Sequence, residues 1–160
     1  MVARAALVAL GLSAAVWSAG CGESVDLKQA IQVVDVSSGW FDAGIQEGKN
    51  KLVPSVTFRL RKNADTDLSS LSLNLVFKAE GADEHFDDVF VQSVPFTGTD
   101  TDLITVRSKF GYTGEPPQSR ADMLKNSQFH DMNIQVFAKQ SSSQWVELHG
   151  LKIPRQLLTR

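Results

Sequence analysis

The sequence predicts an all-β fold, an antiparallel β-sandwich of about seven strands with one short helix. Three observations predict it: β-prone runs recur along the chain, turn residues separate them at short intervals, and helices do not alternate with them. The chain has 160 residues with 42% hydrophobic content, enough to bury the core of one domain. Its formal charge of −2 provides no overall attraction for nucleic acid or anionic lipid.

The clearest pattern lies in residues 56–77, where apolar and polar residues alternate in two runs. The apolar positions are Val56, Phe58, Leu60, Leu71, Leu73, Leu75 and Phe77. A period of two places one face of each run in the core and the other in solvent. Residues 63–67 connect the runs and contain Asn and Asp, which accept turn dihedrals, so we expect the two runs to pair as an antiparallel hairpin.

The other strands are expected at β-prone runs between turn signals. Residues 30–36 are expected to form the first strand, which residues 37–39 end or bend, and Pro54 lies near the start of the next. Later strands are expected at residues 86–94, 103–106, 134–138 and 145–153. The last of these contains Gly150, where a bulge is expected.

One short helix is expected between residues 117 and 126. Ser119 stands three residues before Asp122, as in a capping box, and apolar residues follow. The two glycines and two prolines of residues 111–117 indicate a loop before the helix.

The N-terminal residues are typical of a secretory signal. Residues 1–4 form a short basic start, and residues 5–17 are an apolar run too short to cross a bilayer comfortably. Small residues then precede Cys21, the only cysteine, which cannot form an intramolecular disulfide. We therefore expect residues 1–20 to be a signal peptide.

The segment Ser18-Ala19-Gly20-Cys21 resembles the lipobox of bacterial lipoproteins, in which signal peptidase cuts before a cysteine that carries diacylglycerol. The resemblance implies lipid attachment at Cys21 and membrane contact through the lipid anchor only. Gly22 is not the Asp of an inner-membrane retention signal, which favours the periplasmic face of the outer membrane. We expect a lipidated tether at residues 21–28 and one domain at residues 29–160. Ordinary secretion with a free Cys21 is the alternative.

Residues 58–65 and the alternating leucines after them resemble the FxLYD-type immunoglobulin-like domains of bacterial envelope proteins. The shared features are a strand, an Asn-Ala-Asp turn and a second strand that alternates to an aromatic residue, here Phe77. The resemblance implies an immunoglobulin-like β-sandwich outside the cytoplasm, without a known active site.

Residues that could support catalysis or metal binding form no recognisable motif. Residues 65–102 contain nine acidic residues but lack the spacing of an EF-hand calcium loop. His85, His130 and His149 stand far apart, without the spacing of zinc motifs. The sequence also contains no Gly-x-Ser-x-Gly elbow and no glycine-rich phosphate loop. We expect no enzyme activity, no metal and no cofactor.

Three aromatic residues are candidate partner contacts. Trp40 and Phe41 are adjacent, so on a strand they point to opposite faces and only one can lie in a single core. Either they close one end of the sandwich, or one of them joins the loop residue Tyr112 as an exposed anchor, because interface hot spots favour Trp and Tyr. Trp145, at the start of the last strand, is expected to pack in the core.

These observations favour a non-catalytic envelope lipoprotein, a protein-interaction or accessory module at a membrane surface. The sequence does not identify its protein partner. The alternative is a periplasmic small-ligand or metal-binding protein that uses the acidic segment and a histidine. A hydrolase is a third hypothesis, and it requires a Ser, a His and an Asp that converge in a pocket.

Overall fold

The computed structural model describes residues 25–68 and 71–158. The lipobox and Cys21 lie outside the described residues. Two antiparallel sheets share one hydrophobic core, which confirms the all-β sandwich. Ten strands and two short helices occur in the described residues.

The strands are β1 (Ile31–Gln46), β2 (Lys49–Lys62), β3 (Leu71–Ala79), β4 (Asp87–Val91), β5 (Phe96–Thr97), β6 (Asp100–Thr101), β7 (Ile104–Arg107), β8 (Tyr112–Gly114), β9 (Met132–Gln140) and β10 (Val146–Ile153). The helices are α1 (Leu27–Ala30) and α2 (Arg120–Lys125). Seven strands have four or more residues, which is the expected number, and β5, β6 and β8 are shorter.

The first sheet is built on β2, the long strand at its centre. Its order is β1-β2-β6-β5, and β7 and β8 also pair with β2. The second sheet has four strands in the order β10-β9-β3-β4. Inward-facing side chains of both sheets form the core, and Phe58 of the first and Phe77 of the second are fully buried.

β2 and β3 do not form the hairpin expected for residues 56–77. Both strands are present with their alternating apolar side chains buried, but β2 lies in the first sheet and β3 in the second. Alternation reports which face of a strand is buried, and it does not report which strand is the neighbour. The hairpin that does form joins β1 to β2 through Glu47 and Gly48, whose φ angles are 52° and 78°.

β1 is longer than the strand expected at residues 30–36 and continues past residues 37–39 to Gln46. A bulge lies between Val34 and Ser37, where the register with β2 shifts and Asp35 has a φ of 53°. Ile31 faces the core before the bulge and Trp40 after it. The extra residue therefore changes which alternate positions of β1 point inward.

The folded domain begins within the residues expected to form the tether. Leu27 in α1 is 2% exposed, and the Asp26 side chain caps this helix by accepting a hydrogen bond from the Lys28 backbone. Leu27 therefore belongs to the core, although it lies among the residues expected to form the tether.

α2 confirms the expected helix. The Ser119 hydroxyl accepts a hydrogen bond from the Asp122 backbone N–H at 3.1 Å, as a capping residue does. After β10 the chain returns to β1, where the backbone N–H of Trp40 donates to Gln156 O at 2.8 Å and that of Leu158 donates to Trp40 O at 2.9 Å.

Candidate functional site

Trp40, one of the three candidate partner contacts, is a core residue. Its side chain is fully buried. The ring packs edge-on against Phe129 at a centroid distance of 4.4 Å and lies 5.5 Å from the ring of Tyr112. A fully buried Trp does not reach the surface, so of the two alternatives for Trp40 and Phe41, Trp40 follows the one in which it packs inside the sandwich. The bulge in β1 turns this residue inward.

Phe41 and Tyr112 are both partly buried. Phe41 points to the opposite face of β1 from Trp40, and the Arg107 guanidinium lies over its ring at 3.5 Å. Tyr112 does not lie in a loop, because it begins β8, and its hydroxyl accepts a hydrogen bond from the His130 backbone at 3.1 Å. Tyr112 and Trp40 therefore belong to one aromatic cluster beside the core, and Phe41 lies on the other face of β1.

The acidic residues of the segment 65–102 make separate contacts and do not converge. Asp100 and Arg61 form two hydrogen bonds of 2.8 Å, which lower the pKa of the Asp100 carboxyl and raise the pKa of the guanidinium. His85 Nδ1 lies 3.2 Å from Asp88 Oδ2. Within the described ranges, no group of three or more His, Cys, Asp or Glu side chains could hold a metal ion.

Asp87 is the buried member of the acidic segment, with 9% of its surface exposed. Its Oδ2 atom accepts hydrogen bonds from the Ser108 hydroxyl at 2.9 Å and from the Lys109 backbone at 2.7 Å. Asp87 begins β4 in the second sheet, whereas Ser108 follows β7 in the first sheet. The carboxylate therefore links the two sheets, and its contacts give it a structural role.

Aromatic side chains, one exposed and two partly buried, lie on the outer face of the four-stranded sheet. Phe90 in β4 is 60% exposed, and its ring packs edge-on against Trp145 at a centroid distance of 5.6 Å. Trp145, expected in the core, is only partly buried. Phe137 in β9 and Phe90 both pair in register with Asn74 of β3, so they share this face. We call Phe90, Phe137 and Trp145 the outer-face aromatic patch.

Two polar groups border the outer-face aromatic patch. The Lys139 ammonium lies over the Trp145 ring at 5.0 Å, and Lys139 forms no ion pair within the part of the chain that the structure describes. The Asn74 Oδ1 atom is buried and has no hydrogen-bond partner among the described residues. Lys139 therefore places a positive charge beside the apolar rings of the patch.

The sequence contains a signal for two members of this patch. Phe90 and Phe137 each stand between two aliphatic residues that pack toward the core. Because side chains alternate along a strand, a residue between two inward positions must point outward. The sequence does not predict the orientation of Trp145 in the same way. This residue directly follows the serine-rich turn before β10, so it is not flanked by two inward-facing residues.

A cavity of about 210 Å³ opens beside Tyr112, between β8, α2 and the residues that precede β9. Its floor is apolar and consists of Tyr112, Met123 and Phe129. Its rim is polar and consists of Thr113, Gln118, Asn126 and Gln128. The cavity is therefore adjacent to the cluster that contains Trp40.

An ion-pair network supports Phe129 from the C-terminal side. The Asp131 carboxylate accepts hydrogen bonds from Arg155 Nε and, at 3.0 Å, contacts Lys152 Nζ. Arg155 Nη2 donates to Phe129 O at 2.7 Å. The hydrogen bonds from Arg155 and then from Lys152 hold the pKa of Asp131 below its usual range. The network ties the end of β10 to the wall of the cavity.

The chain matches no protein-family model, and no curated protein matches it significantly. It aligns with a solved structure titled "X-ray structure of Northeast Structural Genomics Consortium target SoR45", with a TM-score of 0.37 and 11% identity. The alignment covers 79% of this chain and 88% of that one. No helix of residues 25–68 or 71–158 has the length and apolar character needed to span a membrane.

Proposed function

We propose that the protein is a non-catalytic lipoprotein of the bacterial envelope that binds a partner protein through the outer-face aromatic patch. The observation that carries the proposal is the 60% exposure of Phe90 beside Trp145. Aromatic rings grouped on a sheet face that otherwise meets water are typical of interaction surfaces, because folding alone does not require them there.

The chemistry of the patch indicates the chemistry of its partner. Interface hot spots are enriched in aromatic residues, and the burial of apolar surface contributes about 25 cal/mol per Å². Lys139 places a positive charge at the border of the patch, and it forms no ion pair among the described residues. A partner carboxylate would complement this charge. The proposed partner is therefore a protein that presents an apolar surface flanked by an acidic residue.

The leader supports an envelope location for this interaction. We propose that Cys21 carries the lipid and that Gly22 allows transport to the periplasmic face of the outer membrane. The first helix of the described residues, α1, is capped by Asp26, five positions after Cys21. Five residue steps extend at most about 18 Å, so an anchored domain stays close to the membrane surface. The partner would then be another protein at that surface.

Affinity purification of the full-length protein from envelopes solubilised in mild detergent tests the proposal. The double variant Phe90→Ser/Trp145→Ser removes two patch rings, and Phe110→Ser is the matched control, because Phe110 is 59% exposed but lies outside the patch. We expect a partner that wild type and the control enrich equally and that the double variant enriches at least about tenfold less, as for a hot spot. Equal enrichment by all three, or no enriched protein with wild type, would overturn the proposal.

A further inference from the structure

The cavity beside Tyr112 has the walls of a small-molecule site. We infer that it binds a single neutral sugar residue, free or at the end of a glycan. The cavity shares no residue with the outer-face aromatic patch. The sugar site and the proposed protein interaction can therefore be tested independently of each other.

The rim of the cavity excludes charged ligands. Among the lining side chains there is no acidic residue, no Lys, no Arg and no His. An ionised ligand would lose its hydration there without gaining a counter-charge, which is costly. The rim instead carries one hydroxyl, that of Thr113, and three side-chain amides. Each amide offers donors and an acceptor, which match sugar hydroxyls that both donate and accept.

The floor of the cavity matches the apolar face of a sugar ring. The rings of Tyr112 and Phe129 lie 4.3 Å apart at an interplanar angle of 31°. Met123 completes the floor and is 3% exposed. A neutral pyranose presents C–H groups on one face and hydroxyls around its edge, so it can pack against the partly buried ring of Tyr112, which Phe129 and Met123 support from below, while the amide rim binds its edge.

Contacts within the protein hold the walls of the cavity in place without a ligand. The buried Asn50 side chain donates to Gln118 O at 2.7 Å and fixes the loop that carries this rim residue. Gly114 allows α2 to approach, because a Cβ at this position would lie 2.8 Å from Met123 Sδ and 2.9 Å from Gln118 Oε1. A preformed site loses less conformational entropy when it binds.

The volume limits the ligand to one ring. Pockets for drug-sized ligands occupy about 300–1,000 Å³. The cavity here has about 210 Å³ and is open to solvent on one side. One monosaccharide unit fits such a space, and any further unit of a glycan would extend into solvent.

Saturation-transfer-difference NMR on the full-length protein, in a detergent without a sugar headgroup, tests the inference. The probes are glucose, galactose and N-acetylglucosamine, with glucuronic acid as the charged comparison. We expect saturable binding of at least one neutral sugar and at least tenfold weaker binding of glucuronic acid. A disaccharide that contains the bound sugar shows whether the natural ligand is a glycan end or a free sugar. Tighter binding of the disaccharide than of the monosaccharide assigns the site to a glycan end, and weaker binding assigns it to the free sugar.

The variant Gln118→Leu/Gln128→Leu keeps the floor and removes two rim amides. We expect it to bind the sugar at least tenfold more weakly, whereas Gln144→Leu, an exposed glutamine outside the cavity, binds as wild type does. If this double variant does not fold, Thr113→Trp replaces it in the test. Thr113 is exposed, so a Trp at this position should fill the opening of the cavity without disturbing the core. The inference is overturned if no neutral sugar binds saturably, if glucuronic acid binds as tightly, or if the folded cavity variants bind as wild type does.

Discussion

Phe90 and Trp145 belong to opposite edges of the four-stranded sheet, yet their ring centroids lie 5.6 Å apart. β4, which carries Phe90, is one edge strand, and Trp145 directly precedes β10, the other edge strand. The two rings can meet only if both side chains lean across the outer face above β3 and β9. The sheet therefore presents aromatic surface over its middle, where a partner can cover it.

The stability of the patch variants separates an interaction role from a structural one. We expect Phe90→Ser/Trp145→Ser to change the free energy of unfolding by about 1 kcal/mol or less, because the rings are already partly in water. Phe77→Ser, at a fully buried position of the same sheet, should cost more than about 3 kcal/mol. Urea unfolding followed by circular dichroism measures both. A cost above about 3 kcal/mol for the patch variant would mean that the rings serve folding.

Substitutions at the adjacent residues Trp40 and Phe41 compare the inward and outward faces of β1. Trp40→Ala should lower the free energy of unfolding by about 3–5 kcal/mol, because it empties a fully buried volume. Phe41→Ala removes a partly exposed ring and its contact with Arg107, so we expect a loss of about 1 kcal/mol. Denaturant titration of the two variants compares these costs. Similar losses would contradict the inward orientation of Trp40.

The link between the sheets depends on the Asp87 carboxylate. Asp87→Ala leaves the Ser108 hydroxyl and the Lys109 amide without their acceptor, so we expect a loss of about 1–3 kcal/mol. The neighbouring Asp88 is exposed, and its carboxylate contacts only His85 among the described residues, so Asp88→Ala should stay within about 0.5 kcal/mol of wild type. Thermal unfolding ranks the two variants, and equal effects would show that the link contributes nothing.

The ion pairs of Asp131 predict a pH dependence with a definite sign. Because Arg155 and Lys152 lower the pKa of Asp131, its ionised form stabilises the fold above the ordinary carboxyl pKa of about 3.9. This contribution is lost as the pH falls through the lower pKa of the folded state. The network is partly exposed, so we expect Asp131→Asn to cost about 1 kcal/mol or less at pH 7.

The difference between wild type and Asp131→Asn should shrink below about pH 4, where wild type loses its advantage. Unfolding curves from pH 7 to pH 2 measure this difference. Asp102→Asn, at an exposed carboxylate without an ion pair in the described residues, is the control. A difference that stays constant, or that grows on acidification, would contradict the assigned contacts.

The buried faces of the strands could be predicted because burial on one side imposes a period of two. Leu71, Leu73, Leu75 and Phe77 recur at every second position, and all four are fully buried. Strand partners could not be predicted in the same way, since β2 and β3 would show the same alternation in one sheet or in two. The capping of α2 could be predicted because Ser119 and its hydrogen-bond partner, the backbone N–H of Asp122, are close in sequence.

The candidate site was less predictable for physical reasons. The bulge at Asp35 reverses the inward parity of β1. Asp adopts positive φ more often than most residues, but a single Asp in a β-prone run does not predict a bulge. A Trp at position 145 would make apolar contacts either in the core or on the outer face against Phe90. Its residue type therefore does not predict which of the two locations it takes. The cavity walls come from β8, from α2 and from the irregular segments on either side of α2, and no single periodicity relates these lining residues to one another.

Site-specific photocrosslinking at position 90 in living cells tests the central claim most directly. A photoreactive phenylalanine analogue replaces Phe90 in one strain and Phe110 in the other, two phenylalanines with 60% and 59% exposure. The expected result is one crosslinked envelope protein at position 90 that is absent at position 110 and disappears when Trp145→Ser is added. Absence of a crosslink at position 90, or the same product at both positions, would contradict docking through the outer-face aromatic patch.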